Sequence, residues 1–267
     1  MQYIGKDLSF NMLRGLVNLL YDDIRIAFFH TMPDPLTTTM YTGQGEVSGS
    51  VNYPIGGFSL QNKIINVVGN TLTFTADNIP LIKAENVIGM MMYNASLVGE
   101  RYGKIIMMET YPIALDFIDG NLEHKVNYLS IKTPYMYRGG LNIHGIKFFL
   151  THNVRYDEIQ LDVSFHSLAQ GITETTYPMP STSLYSFIPF QAPPNIEYDS
   201  QTQEAYLRSN DITMANPSPS TQMVCISFNY SGERVLLQFS ELDPSMYGTS
   251  TFTLHFNYGF CQFNLIA

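Results

Sequence analysis

Charge is scarce in this chain. Asp, Glu, Lys and Arg together make up 14% of its 267 residues, where a quarter is usual. Either uncharged polar side chains solvate the surface, or partner molecules cover much of it; the second is the sharper expectation. The basic residues form no run longer than a dipeptide and the net charge is −9, which argues against a nucleic-acid surface and against an anionic-membrane surface. Apolar runs long enough to span a bilayer, about 18 residues, are missing. The N-terminus does not read as a signal peptide, because "LVNLLYDD" turns acidic after a very short apolar run. Tryptophan is absent and cysteine occurs twice, as Cys225 and Cys261. Both fall in apolar, strand-like segments and are expected as buried free thiols; a disulfide would need neighbouring strands and an oxidising compartment.

Motifs of common chemistry are missing too. The stretch "GEVSGSVNYPIGGFSL", residues 45–60, is dense in glycine, yet no Lys stands at the P-loop position and no helix follows residue 57. No Gly-x-Ser-x-Gly elbow occurs. His144, His152 and His166 could share a face on adjacent strands, but their spacing is not that of a metal site, and no metal or other cofactor is expected. Asp116, Asp119 and Glu123 are the densest acidic group; acids in turns between strands are the plain reading, and a paired-carboxylate glycosidase the other.

What is abundant is apolar and aromatic. Hydrophobic residues make up 45% of the chain, with 18 Tyr and 17 Phe, so the chain is globular and suited to assembly through its aromatics. One segment has helical periodicity, "KDLSFNMLRGLVNLLYDD" (6–23), with Leu13, Leu16, Val17 and Leu20 on one face, Asp7 or Ser9 as cap and Gly15 as a weak point. Beyond residue 23 the period is two. Strands are expected at 24–30, 37–42, 45–53, 56–60, 63–69, 71–77, 86–94, 104–110, 126–132, 145–153, 158–167, 184–190, 222–230, 233–241, 250–258 and 260–267, with hairpin turns at Gly69-Asn70 and in "NYSGER". About half of the methionines at 90–92 and 107–108 should face a core. Residues 191–220 read as a long Pro- and Asn-rich loop. The expected architecture is mainly β: a short N-terminal helical arm (1–23), then two antiparallel β-sandwich or barrel-like domains, 24–133 and 134–267. In it Gly49, Gly56 and Gly57 mark bulges or bends of a β-ribbon.

The run "IRIAFFHTMPDPLTTTMYTGQGEVSGSVNYPIGGFSL", followed by "TLTFTAD" and "NVIGMMMYN", resembles a group of small bacteriophage virion proteins. The matching positions are residues 26–29, 37–41, Glu46 to Gly49, Tyr53, Gly56, Gly57, Leu60, Phe74, Asp77, 87–94 and 114–117, and the resemblance covers about residues 8–133. Pro54 departs from the pattern, and residues 134–267 have no counterpart in it. The resemblance implies a non-enzymatic structural protein of a tailed-phage virion. The favoured role is a capsid decoration or cement protein, homo-oligomeric and bound to the major capsid protein or other virion proteins, with the helix face Leu13, Leu16, Val17 and Leu20 and the 191–220 loop as docking elements. The alternatives are a tail, baseplate or connector part and, from another class, a glycan-binding or glycan-cleaving appendage.

Overall fold

The computed structural model describes every residue except 49–52, 78, 80–82, 118–126, 133–138, 191–194, 200, 202–203, 216–217, 245–250, 255–260 and 264–267. The protein is mainly β, with several antiparallel sheets, and the chain divides into two compact units.

The first unit comprises Met1–Asn66 and Leu72–Ile131. In chain order it contains β1 (Gln2–Ile4), α1 (Leu8–Leu13), β2 (Ile24–Phe29), β3 (Phe58–Ser59), most of β4 (Ile64–Val68) and β5 (Thr71–Thr75), β6 (Ala84–Asn94), β7 (Ile105–Phe117) and all but the last residue of β8 (Asn127–Lys132). One sheet runs β1-β7-β6-β2-β3 and another β4-β5-β8. β2 pairs antiparallel with β6, Ile24 opposite Asn94 and Phe29 opposite Gly89. Both faces of these central strands are covered. Ala27, Phe29, Met91, Tyr93 and Met108 belong to one core cluster, while Ile24, Ile26, Phe28, Met90, Met92 and Met107 are buried as well. All five methionines at 90–92 and 107–108 are therefore inside, not half of them, because a sheet covered on both faces buries successive residues.

The N-terminal helix is shorter than its periodicity suggests. It ends at Leu13 in a Schellman closure: Gly15, at φ +65°, donates to Met12 O and Leu16 N donates to Asn11 O. Glycine at that position terminates rather than merely weakens a helix. Nor is residues 1–23 an arm, since β1 pairs with β7 and Leu8, Met12, Leu13 and Val17 have no exposed surface. The strand expected at 37–42 is a turn closed by Asp34, whose side chain accepts from Leu36 N (2.9 Å) and the Thr37 hydroxyl (3.1 Å); only a bridge from Met40 to Lys104 is left of it.

The second unit is chiefly Lys132–Ile266. It holds β9 (Gly139–Leu141), α2 (Ile143–Thr151), β10 (Leu161–His166), β11 (Ile188–Pro189), β12 (Asn195–Asp199), β13 (Glu204–Arg208), β14 (Ile212–Ala215), β15 (Met223–Tyr230), β16 (Glu233–Glu241), β17 (Thr251–Leu254) and β18 (Cys261–Phe263). The main sheet runs β11-β10-β15-β16-β9, beside the smaller sheets β12-β13-β18 and β14-β17. Two expectations fail here. The strand expected at 145–153 is instead largely α2, because Asn142 caps the helix by accepting from His144 N (2.9 Å) and Gly145 N (3.3 Å). Within the loop expected at 191–220, Asn195–Asp199, Glu204–Arg208 and Ile212–Ala215 are short polar strands, with Ala205 and Leu207 buried on β13. Cys225 is a buried free thiol, and burial pushes its pKa up to about 12; the side chain of Cys261 lies outside the described residues. Among the described residues no helix is long and apolar enough to cross a membrane.

Candidate functional site

The glycine-rich stretch wraps the end of β2. Val47 N donates to Phe28 O (2.9 Å), and Gly57 N to Pro54 O (3.0 Å), closing the turn that leads into β3. Gly56 and Gly57 occupy that turn; Gly49 lies outside the described residues. At the centre is the half-buried carboxylate of Glu46. It accepts from the Tyr41 hydroxyl, from the Tyr53 hydroxyl at 2.7 Å and from Gly56 N at 2.9 Å. The Tyr53 oxygen in turn accepts from Phe28 N at 2.9 Å, and the Tyr93 hydroxyl donates to Gly56 O at 2.7 Å. The Tyr41 and Tyr93 rings stack, their centroids 3.9 Å apart and 7° from parallel. One carboxylate thus gathers a loop, a turn and two strands.

Burial, and after it the bond to Glu46, raises the phenols of Tyr41 and Tyr53 far above their ordinary value; burial lifts Tyr93 to about 12. A phenol whose folded pKa exceeds its unfolded value of about 10 holds its proton more tightly in the native state. The stabilisation is complete below about pH 10 and is lost as pH climbs through the folded values. Urea unfolding followed by circular dichroism should therefore show a midpoint that falls steadily from about pH 10 to about pH 12. A midpoint that stays level across that window contradicts the cluster as described.

The segment after α1 is fixed by a second polar centre. Buried Asp22 pairs with Arg101 (2.6 Å) and accepts from Asn18 N (2.8 Å) and Asn94 Nδ2 (2.6 Å). The Asn94 amide also donates to Leu16 O (3.1 Å), and Asp23 binds Ser96 and Ser59. Around this rigid end of the sheet, where β2 begins and β6 ends, four apolar side chains stand in solvent: Tyr21 (79% exposed), Leu97 (85%), Val98 (68%) and Tyr102 (43%). Of the residues expected to dock, Leu13 and Val17 are spent on the chain's own interior, and Leu16 and Leu20 are half-buried beyond the helix.

The histidines do not converge. His144 and His152 flank Phe148 on α2, while His166 is buried on β10 against Ser164 (2.9 Å) and Gln170 (2.7 Å). Among the described residues, no three His, Cys, Asp or Glu side chains are placed to hold a metal. Asp116 accepts from Asn86 N (2.7 Å); Asp119 and Glu123 lie outside the described residues. The role of Glu46 was open to detection, as a lone acid among tyrosines in a charge-poor chain. Tyr21, Leu97, Val98 and Tyr102 carry no such signal, since exposure of a turn residue is set by tertiary packing. Compared with family models, curated proteins and solved structures, the chain has no match in any of the three.

Proposed function

We propose that this protein is a non-enzymatic structural component of a tailed-bacteriophage virion, a decoration or cement protein that binds the major capsid protein on the head surface as a homo-oligomer. In this reading its two units are β-sandwich- or barrel-like domains.

The observation that carries the reading is the end of the first sheet. Four exposed apolar side chains, Tyr21, Leu97, Val98 and Tyr102, are borne on loops that the buried Asp22–Arg101 pair holds in place. Adhesion needs apolar anchors on a pre-ordered frame, since ordering loops upon binding costs affinity. Many modest contacts of this kind add through multivalency on a lattice. The virion assignment itself rests on the resemblance, whose positions Glu46, Tyr53 and Gly56 bond to one another.

Mass spectrometry of purified particles of the encoding phage, quantifying this chain against the major capsid protein, tests the proposal. On the order of hundreds of copies per particle is the expected result, as a head lattice requires. A handful in multiples of about three, six or twelve, the symmetries of tails and connectors, overturns the decoration role. Absence from the particle overturns the virion reading.

A further inference from the structure

The second unit has a pocket that assembly does not call for. It is a half-open cavity of about 210 Å³ on one face of α2, lined by His144, Lys147, Phe148, Thr151 and His152 from the helix and by Tyr177 opposite. We propose that this pocket binds a monosaccharide unit that carries a carboxylate.

Size comes first. Pockets for drug-sized ligands run from about 300 Å³ upward, so this one admits a single ring with its substituents. The walls are flat. Tyr177 stacks on His144 with centroids 5.0 Å apart and 18° from parallel, and Phe148 stacks on His152 at 4.3 Å and 14°. Phe148 is buried among neighbouring rings, so the aromatic surface open to a ligand is that of Tyr177, 46% exposed; such a surface takes the apolar side of a ring and leaves its polar edge to hydrogen-bonding groups.

Charge selects the substituent. The six arginines in ion pairs, Arg14, Arg25, Arg101, Arg155, Arg208 and Arg234, each have a carboxylate partner. No lysine belongs to these six pairs, and Lys147 is the one that lines the pocket. Glu233, the acid nearest in the hydrogen-bond pattern, is engaged by the Tyr177 hydroxyl. A carboxylate on the ligand would supply a charge-assisted bond.

The remaining groups favour a sugar over an aromatic acid. His152 Nδ1 lies 3.0 Å from Phe148 O and 2.9 Å from the Thr151 hydroxyl, so that edge of its ring is turned back onto the helix. Burial, and then the charge of Lys147, lowers the pKa of His144, so at neutral pH its ring offers one donor and one acceptor. Hydroxyls of a sugar ring use both kinds of partner; the carboxylate of a plain aromatic acid can use only the donor. The inference does not depend on the virion reading, because its test needs only the purified chain.

Saturation-transfer NMR titrations of the full chain with glucuronate, N-acetylneuraminate, glucose and benzoate decide it. At least one acidic sugar should bind saturably, with glucose and benzoate weaker by about tenfold or more. Lys147→Ala should weaken the acidic sugar by about tenfold while leaving glucose binding and the thermal unfolding midpoint unchanged. Tyr177→Ala, which removes the stacked ring and releases the Glu233 carboxylate, should lose binding. No saturable binding of either acidic sugar, benzoate binding as tightly as both, or wild-type affinity in Lys147→Ala each overturns the proposal.

Discussion

Replacing Gly57 with alanine should destabilise the protein by about 3 kcal/mol or more, the largest effect expected from a single added methyl group. Gly57 has φ +72°, and a Cβ built there would lie 2.0 Å from Ile26 O, 2.5 Å from Ile26 C and 2.8 Å from Ala27 Cα. All three neighbours are backbone of β2, which is paired on its other side with β6, so none can swing aside as a side chain would. The left-handed conformation alone costs a non-glycine residue about 1–2 kcal/mol. Gly69 separates that cost from the steric one. It has φ +57°, but a Cβ added there would meet nothing within 4 Å, so Gly69→Ala should cost only the conformational part, about 1 kcal/mol. Thermal midpoints of the two variants and the parent make the comparison. A Gly57→Ala midpoint close to that of Gly69→Ala would mean that the turn does not press against β2.

How far this fold could be read in the sequence depended on which force fixed each element. Where the hydrophobic pattern decides, as in β2, β6, β15 and β16, strand positions were legible to within a few residues, and so was the two-residue connection Ser231-Gly232 between β15 and β16. Where a single capping group decides, the pattern misled. The apolar, aromatic run "IKFFL" suits a strand, and only the Asn142 side chain with its two backbone donors marks it as a helix. Close contact of that helix with β16 further requires Gly145, where a Cβ would come 2.7 Å from Leu236 O, and no local rule reveals such an approach. The helical periodicity of residues 13–20 was real as a spacing of apolar residues. Its cause was different: Leu13 closes the helix and Val17 lies beyond the break at Gly15, and each is buried in its own setting. Of the candidate site, the glycines were visible and the carboxylate that organises them was seen only as part of a pattern, because the three donors it gathers come from positions 41, 53 and 56. The pocket on α2 was illegible for the same reason, as it needs a helix that the sequence disguises.

That carboxylate supplies the second large effect. Glu46→Ala should cost about 3–4 kcal/mol, because it strips the acceptor from two tyrosine hydroxyls and a backbone N–H in a half-buried setting, at about 1–3 kcal/mol for each donor left unpaired. Solvent reaching the site holds the sum to the lower part of that range. Glu46→Gln should fall between, at about 1–2 kcal/mol: the amide oxygen still accepts, but its NH2 turns a donor toward groups that are themselves donors. Tyr53→Phe tests the chain of bonds from the other side. The Tyr53 oxygen accepts from Phe28 N (2.9 Å) while its proton goes to Glu46 (2.7 Å), so the phenylalanine variant orphans one backbone donor of β2 and one lone pair of Glu46. If the cluster acts as a unit, the double variant Glu46→Ala/Tyr53→Phe should be more stable than the sum of the single losses predicts, with a coupling of about 1 kcal/mol or more. Urea unfolding midpoints of the four proteins close the cycle. Strict additivity, or a Glu46→Ala loss within about 0.5 kcal/mol of a neutral surface change, would show that the three tyrosines and the turn are held by packing alone and that Glu46 is incidental to them.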